Sequence, residues 1–243
     1  MSSAMISRRL FVIGAPLSLS ACVSGPELPP VAPKTADEFA FEAMYGPIPD
    51  EKFPIPALEP GVVDPQFLRQ LVPYDTPYAP GTIVVDPGER HLYLVRANGE
   101  ALRYGVGVGR EGFNWNGRAR VARKAMGPTW TPPADMIKRQ PEVAKYARGM
   151  PGGLDNPLGA RALYLFQGNK DTLYRIHGTN DPSSIGHAMS SGCIRLINQD
   201  IIDLYRRAPI ETPVVVLANR RQEEPEDDDF SMPVANVGGS IIR

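Results

Sequence analysis

From Gly81 onward the chain is patterned for strands. Thr82–Asp86 is a β-branched, apolar run closed by a Pro87-Gly88 turn, and His91–Val95 alternates apolar and polar as a second strand. Asn98-Gly99 is a hairpin turn signal. It predicts a third strand over Ala101–Val108, ending in the Gly-rich run Gly105–Gly109. Arg118–Ala125 carries Arg at alternating positions, Arg161–Phe166 and Thr172–Ile176 are further strands, and Pro213–Leu217 is the last. Helical spacing is confined to a few places. Gln199–Ala208 turns Ile201, Ile202, Leu204 and Tyr205 to one face, with Asn198 as N-cap and Pro209 as the stop. Asp135–Arg148 is helical only in pieces, because Pro141 interrupts it. The pattern predicts a mainly β domain with short helices over residues 80–218.

The chain before that domain reads differently. The 26 prolines concentrate before Pro80. Residues 23–79 are predicted as a Pro-rich tether followed by an N-terminal arm. Within the arm, Ala36–Met44 has the spacing of a short helix. Asp64-Pro65 caps a second one over Gln66–Val72, with Asp64 as N-cap and Pro65 at the first helical position. This arm is expected to lie on the domain surface. After Arg220 the chain changes again: Glu223–Asp229 is acidic at six of seven positions, and residues 219–243 read as a disordered tail.

Composition narrows the function classes. A length of 243 residues with 42% hydrophobic content allows one core plus appendages, and a net charge of −1 offers no basic excess to neutralise phosphates. Nucleic acid is therefore not an expected partner. Residues 1–22 have the shape of an export signal. Arg8 and Arg9 precede the eleven apolar or small residues Leu10–Ser20, too few to span a bilayer. Leu19-Ser20-Ala21-Cys22 resembles a lipobox, which predicts lipidation of Cys22 and a membrane anchor. The alternatives are an ordinary signal peptide cleaved near Ala21 or an uncleaved buried helix. Val23 follows the cysteine where a retention Asp would sit, so the expected location is the periplasmic face of the outer membrane. Ser7–Phe11 also resembles a twin-arginine signal, and the choice of export route stays open.

The candidate chemistry lies in His177–Asp200. His177-Gly178 opens the stretch, Ser190-Ser191-Gly192-Cys193 follows, and Arg195 comes two residues later. If Cys22 carries lipid, Cys193 is the single thiol of an exported chain, which marks it as reactive. A free thiol has a pKa of about 8.5 and needs a base. His177 is the candidate, and the small residues around Gly192 allow a sharp turn that aims backbone amides at one point, as an oxyanion hole requires. The plain reading of Cys193 is a buried small hydrophobe. The plain reading of Arg195 is an ion pair with Asp200 or Asp203. His177, His187 and Cys193 match no usual zinc spacing, and no metal site is predicted.

These residues resemble the L,D-transpeptidase catalytic domain, also called the YkuD domain. His177-Gly178, Ser190, Gly192-Cys193, Ile194 and Arg195 match its pattern, and Ser191 stands where most members carry a second His. The resemblance runs from about Gly81 to Leu217. It implies a β-sandwich-like fold and acyl transfer on peptidoglycan stem peptides without a cofactor. Cys193 would be the nucleophile, His177 the base, and the Gly178 carbonyl the group that orients it. The Gly192 and Cys193 amides would form the oxyanion hole, and Arg195 would clamp a substrate carboxylate. Ser190, Ser191 and Trp130 would line the substrate cleft, while Arg110, Arg118, Arg120 and Arg123 read as a solvated face. The resemblance leaves the acceptor open: a second stem, a protein amine or a free amine. Two alternatives remain, a hydrolase of the same fold and a non-catalytic wall-binding lipoprotein.

Overall fold

The structure, a computed structural model, describes residues 35–109, 115–189 and 193–218. Cys22, the tether before residue 35, Arg110, the Ser190–Gly192 turn and the acidic tail lie outside the described residues. The protein is mainly β. Eleven strands share one hydrogen-bonded sheet: β1 (Gln70–Pro73), β2 (Ile83–Asp86), β3 (His91–Val95), β4 (Glu100–Gly105), β5 (Gly107–Gly109), β6 (Gly117–Met126), β7 (Arg161–Gln167), β8 (Lys170–His177), β9 (Ala188–Met189), β10 (Ile194–Arg195) and β11 (Pro213–Val216). Their order is β1-β4-β3-β2-β11-β6-β7-β8-β10-β5-β9. Most neighbours are antiparallel, while β2/β11, β8/β10 and β5/β9 are parallel.

Among the described residues three α-helices accompany the sheet: α1 (Ala36–Tyr45), α2 (Ala134–Arg139) and α3 (Asn198–Arg207). Leu92 and Tyr104 from one half of the sheet meet Leu163, Ile176 and Ile194 from the other in a single core, closed by Ile201 and Leu204 of α3. Strands far apart in the order therefore curl around one interior. Lys124 fastens α3 down, donating to the Tyr205 carbonyl at 2.6 Å and the Ala208 carbonyl at 2.8 Å.

Several local expectations change. The stretch predicted as helix over Gln66–Val72 is a 3-10 turn, Pro65–Phe67, followed by β1, which pairs antiparallel with β4. Asp64 does cap the turn, accepting from the Gln66 amide. Edge pairing along the sheet then outcompetes continuation of so short a helix. The single strand expected over Ala101–Val108 divides at Val106, whose amide bonds the Arg90 carbonyl. There the chain leaves β3 as partner and takes β10. Asn198 is the first residue of α3, not its cap. Its side chain instead bridges the Ala160 amide and the Thr179 carbonyl.

The arm departs furthest from expectation. It does not rest on the surface but adds β1 to the sheet and builds a second core of its own, with Tyr45, Leu58 and Val63 against Ile185 and Ile197. Its polar ties are equally specific. Gln199 of α3 donates to the Tyr45, Gly46 and Pro56 carbonyls. Glu51 pairs with Arg161 at the start of β7. Phe67 packs against Gly186, where φ is +84° and a Cβ would collide with the ring.

Candidate active site

β8 carries the site's base. Side chains alternate between the two faces of a strand. Ile176 points into the core and His177 to the opposite face. β10 runs parallel beside it, with Ile194 opposite Ile176 and Arg195 opposite His177. Cys193 sits in the bend just before β10, and one step back along both strands the pattern leads from it toward Arg175. From strand spacing, Cys193 and His177 are diagonal neighbours about 8 Å apart at the backbone, within reach of converging side chains. Gly109 donates to the Cys193 carbonyl at 3.3 Å and Leu196 to the His177 carbonyl at 2.8 Å, which holds both residues at the backbone. Cys193 is half-buried and in no disulfide among the described residues.

His177 is only 3% exposed. Its Nδ1 sits 2.5 Å from the Gly178 carbonyl oxygen. A carbonyl only accepts, so Nδ1 carries the proton and Nε2 is the ring's basic atom. Burial pushes the imidazole down to about 4, and the charges of Arg195 and Arg175 push the same way against the Gly178 carbonyl. The ring is therefore neutral at neutral pH. Gly178 is glycine for a packing reason: a Cβ there would run into Asn198, the Ala160 amide and Ile201. The hydrogen bond that fixes the tautomer thus depends on α3 closing tightly behind the turn.

Arg195 is half-buried, and burial lowers its pKa against the opposing pull of Cys193 and Asp181. The ion pair with Asp200 or Asp203 that the plain reading offered is taken by another residue: Arg69 of the arm pairs with Asp203 at 2.9 Å and approaches Asp200 at 3.8 Å. Trp130 is half-buried and forms a two-residue bridge with Met150, its ring 6.3 Å from that of Tyr146. Those contacts belong to the excursion between β6 and β7, which Asn156 ties together through the Pro128, Met150 and Pro151 carbonyls. Ser190, Ser191 and Gly192 lie outside the described residues. Tyr104 is fully buried, and its hydroxyl donates to Asp203 at 2.8 Å.

Two residues on the site face carry no motif signal, Tyr164 and Arg175. Period-two reading back from His177 reaches Arg175, and the antiparallel register then reaches Tyr164. Among the described residues no three His, Cys, Asp or Glu side chains gather as metal ligands. A cleft of about 680 Å³ lies in the arm, between α1 and residues 57–60. It is lined by groups such as Phe41, Met44 and Leu58 rather than by His177 or Cys193.

Residues 80–216 match the model of the YkuD L,D-transpeptidase catalytic domain. The chain is 36% identical over 152 residues to a probable L,D-transpeptidase YbiS of Escherichia coli strain K12, covering 60% of this chain and 47% of that protein. It is 40% identical over 141 residues to a probable L,D-transpeptidase ErfK/SrfK of Salmonella typhimurium, covering 56% of this chain and 43% of the relative. The chain thus spans about half the length of the curated relatives it matches. A solved structure from Brucella melitensis, described as a probable carnitine operon oxidoreductase caia, is 51% identical and covers 64% of this chain and 96% of its own. Its TM-score of 0.45 is too low to carry a function across.

Proposed function

The chain belongs to the L,D-transpeptidase catalytic domain family, and we propose that it transfers an acyl group between peptidoglycan peptides through a thioester on Cys193. The supporting observation is the His177 tautomer. Nδ1–H is committed to the Gly178 carbonyl, which leaves Nε2 as the ring's basic nitrogen on a strand whose parallel neighbour begins one residue after Cys193.

In the proposed cycle, Cys193 Sγ attacks the carbonyl joining the third-position diamino acid to the terminal D-Ala of a tetrapeptide stem. His177 Nε2 takes the thiol proton as the S–C bond forms. Burial keeps the imidazole neutral at neutral pH, so it can take this proton. The Gly192 and Cys193 amides receive the developing oxyanion. The C–N bond breaks, the imidazolium returns its proton to the leaving nitrogen, and D-Ala departs. An acceptor amine then attacks the thioester. His177 takes the amine's proton, the C–S bond breaks, and the thiolate recovers that proton. No redox partner enters the balance.

Arg195, opposite His177, is the proposed clamp for a donor carboxylate, because its planar fork matches a carboxylate bidentately. Cys22 is the proposed lipid anchor holding the enzyme at the periplasmic side of the outer membrane, a reading that rests on Leu19–Cys22 alone. Purified protein incubated with tetrapeptide stems should release D-Ala and yield a cross-linked or exchanged product by mass spectrometry. Release of D-Ala with only the shortened acid as product would make the protein a hydrolase. No release from any stem would overturn acyl transfer.

A further inference from the structure

The face that carries His177 also carries an arrangement that the cycle above does not use. Three side chains form a row across three neighbouring strands, which points toward the start of a fourth. Arg123 of β6 stands opposite Tyr164 of β7, and Tyr164 opposite Arg175 of β8; next in line comes Cys193, just ahead of β10. The following row reads Ala125, Ala162, His177, Arg195 by the same registers. The first row thus lies one step along β8 from His177, in the direction from which the chain enters β10.

Its middle is unusually well braced. The Arg123 guanidinium carbon lies 3.4 Å from the Tyr164 ring centroid, and that of Arg175 lies 4.5 Å from it. Guanidinium planes stack favourably on an aromatic face. Tyr164 itself is 7% exposed, so the platform is held by the sheet. Arg175 is locked in a two-pronged pair with Asp171, at 2.7 and 2.8 Å, and also donates to the Tyr174 carbonyl. Arg123 differs. It is exposed and, among the described residues, makes no direct ion pair; it feels Asp171 only through its field, which, against that carboxyl's burial, helps Arg175 hold it below its ordinary range. Two guanidiniums and one carboxylate leave one positive charge in the cluster, on a fork that is already oriented. An oriented fork with open donors is suited to a carboxylate.

We propose that Arg123 and Arg175, stacked on Tyr164, form a second carboxylate-binding subsite, which grips a carboxylate of the reacting peptides about 10 Å from the Cys193 backbone, the two strand spacings from β10 to Tyr164. The proposal rests on the acyl-transfer reading for its ligand. Arg123 supplies the open fork; Arg175 holds the platform and adds charge. At about 3.3–3.6 Å per extended residue, the gripped carboxylate lies up to three residues from the carbonyl under attack. That carboxylate belongs either to the donor or to the acceptor, and the two are separable.

The first measurement does not depend on turnover. Alkylation of Cys193 is followed by mass spectrometry with iodoacetate, which is anionic, and with iodoacetamide, which is neutral. Arg123→Gln should lower the iodoacetate-to-iodoacetamide rate ratio by about 2- to 10-fold at low salt, since one charge at this range acts through a mixed dielectric. The iodoacetamide rate should not move. Arg123→Lys should keep most of this ratio, because the charge remains. The second measurement is kinetic, with donor and acceptor peptides bearing free or amidated carboxylates. Arg123→Gln should raise KM about tenfold for the free acid of one partner and leave its amide unchanged, with kcat little altered. Whichever partner loses its free-acid preference is the source of the carboxylate. Arg123→Lys should recover only part, because a point charge cannot reproduce the fork. An unchanged alkylation ratio, or a free-acid preference that survives Arg123→Gln, overturns the subsite. A wild type that releases no D-Ala overturns acyl transfer instead, and the alkylation ratio still decides whether the anion site exists.

Discussion

On one side of β10, His177 and Arg195 share a sheet face next to Cys193; on the other, where α3 begins, Asp200 and Asp203 meet Arg69, Tyr45 and Tyr104. Both clusters are polar and largely buried, and a few residues of chain separate them. The second is closed. Asp203 accepts from Tyr104 at 2.8 Å and from Arg207 at 2.8 and 3.0 Å, and pairs with Arg69. Against its own burial, these partners hold its carboxyl below the ordinary range. The Tyr45 hydroxyl donates to Asp200 and accepts from the Arg69 amide at 2.6 Å. Asp200 alone is under-served: burial outweighs Arg69 and raises its carboxyl to about 7, and its Oδ1 has no hydrogen-bond partner among the described residues. In the first cluster the ordering runs the other way. His177 is given one hydrogen bond, to Gly178, and two like charges that oppose its protonation. A cluster that satisfies its charges holds the arm in place, whereas one that strips a base of counter-charge leaves that base ready for a proton from substrate chemistry.

The largest expected effect separates the two outright. Cys193→Ala should lower turnover by about 10⁴-fold or more, since loss of a nucleophile leaves only binding and oxyanion stabilisation. The melting temperature should stay within a few degrees, because the side chain is half-buried and outside the core. A variant that keeps a tenth of the activity would place the nucleophile elsewhere.

Next comes the arm. Arg69→Ala leaves Asp200 and Asp203 facing each other across a buried site, and breaking such a pair costs about 3–5 kcal/mol. Urea unfolding should show this as a lowered midpoint. At 25 °C the still-folded fraction should turn over normally. Unaltered stability would mean that α3 holds its two carboxylates without the arm. The matching family region begins at residue 80, yet the partner of α3 lies at residue 69, so truncation at 80 should carry the same penalty and more.

The third effect is in pH, where the clusters have opposite signs. His177 falls from an unfolded value of 6.5 to about 4. Its contribution is fully present above 6.5 and is lost as pH falls through 4, to a total of about 3 kcal/mol. Asp200 rises from 3.8 to about 7. Its contribution is fully present below 3.8 and is lost as pH rises through 7. His177→Gln should therefore flatten the acid limb of the stability profile and Asp200→Asn the alkaline limb. Identical profiles for both variants would break the distinction.

Much of this was legible before any coordinates. β2, β3, β6 to β8 and β11 were legible from short β-branched and apolar runs bounded by turn residues; β2, β3, β7 and β11 are buried on nearly every position, which keeps those runs apolar. The Cys/His spacing marked the reactive segment. The arm was misread for a physical reason. Pro-rich composition reports backbone restriction and says nothing about burial. Tyr45, fully buried, and Arg69 carry no periodic signal, and their partners Asp200 and Asp203 are more than 130 residues away in sequence. Arg175 was missed because it reads as an ordinary outward position of a strand. Only the register with β7 and β10 shows that its outward face is the site face.

The smallest expected effect tests whether the two regions are joined. Phe67 is one of the arm's contacts with the loop between His177 and Cys193, filling the space beside Gly186 and Gly105. Gly186 also donates to the Val106 carbonyl at 3.1 Å, so the loop is fixed on two sides. Phe67→Leu keeps an apolar group and removes ring volume, which should cost about 1–2 kcal/mol as a partial cavity. If the arm acts only through stability, kcat and the iodoacetamide rate at Cys193 should be unchanged at a temperature where the variant is folded. If Phe67 also holds the loop that carries the chain from the base to the nucleophile, kcat should fall about 2- to 5-fold while KM stays near wild type, since geometry at the reacting atoms is lost and substrate binding is not. Packing this close favours the second outcome: a ring seated where Gly186 has no Cβ leaves the loop little room to shift without it. Phe67→Tyr, which keeps the ring, should then restore kcat, whereas Phe67→Leu combined with Arg69→Ala should add in stability but not in kcat.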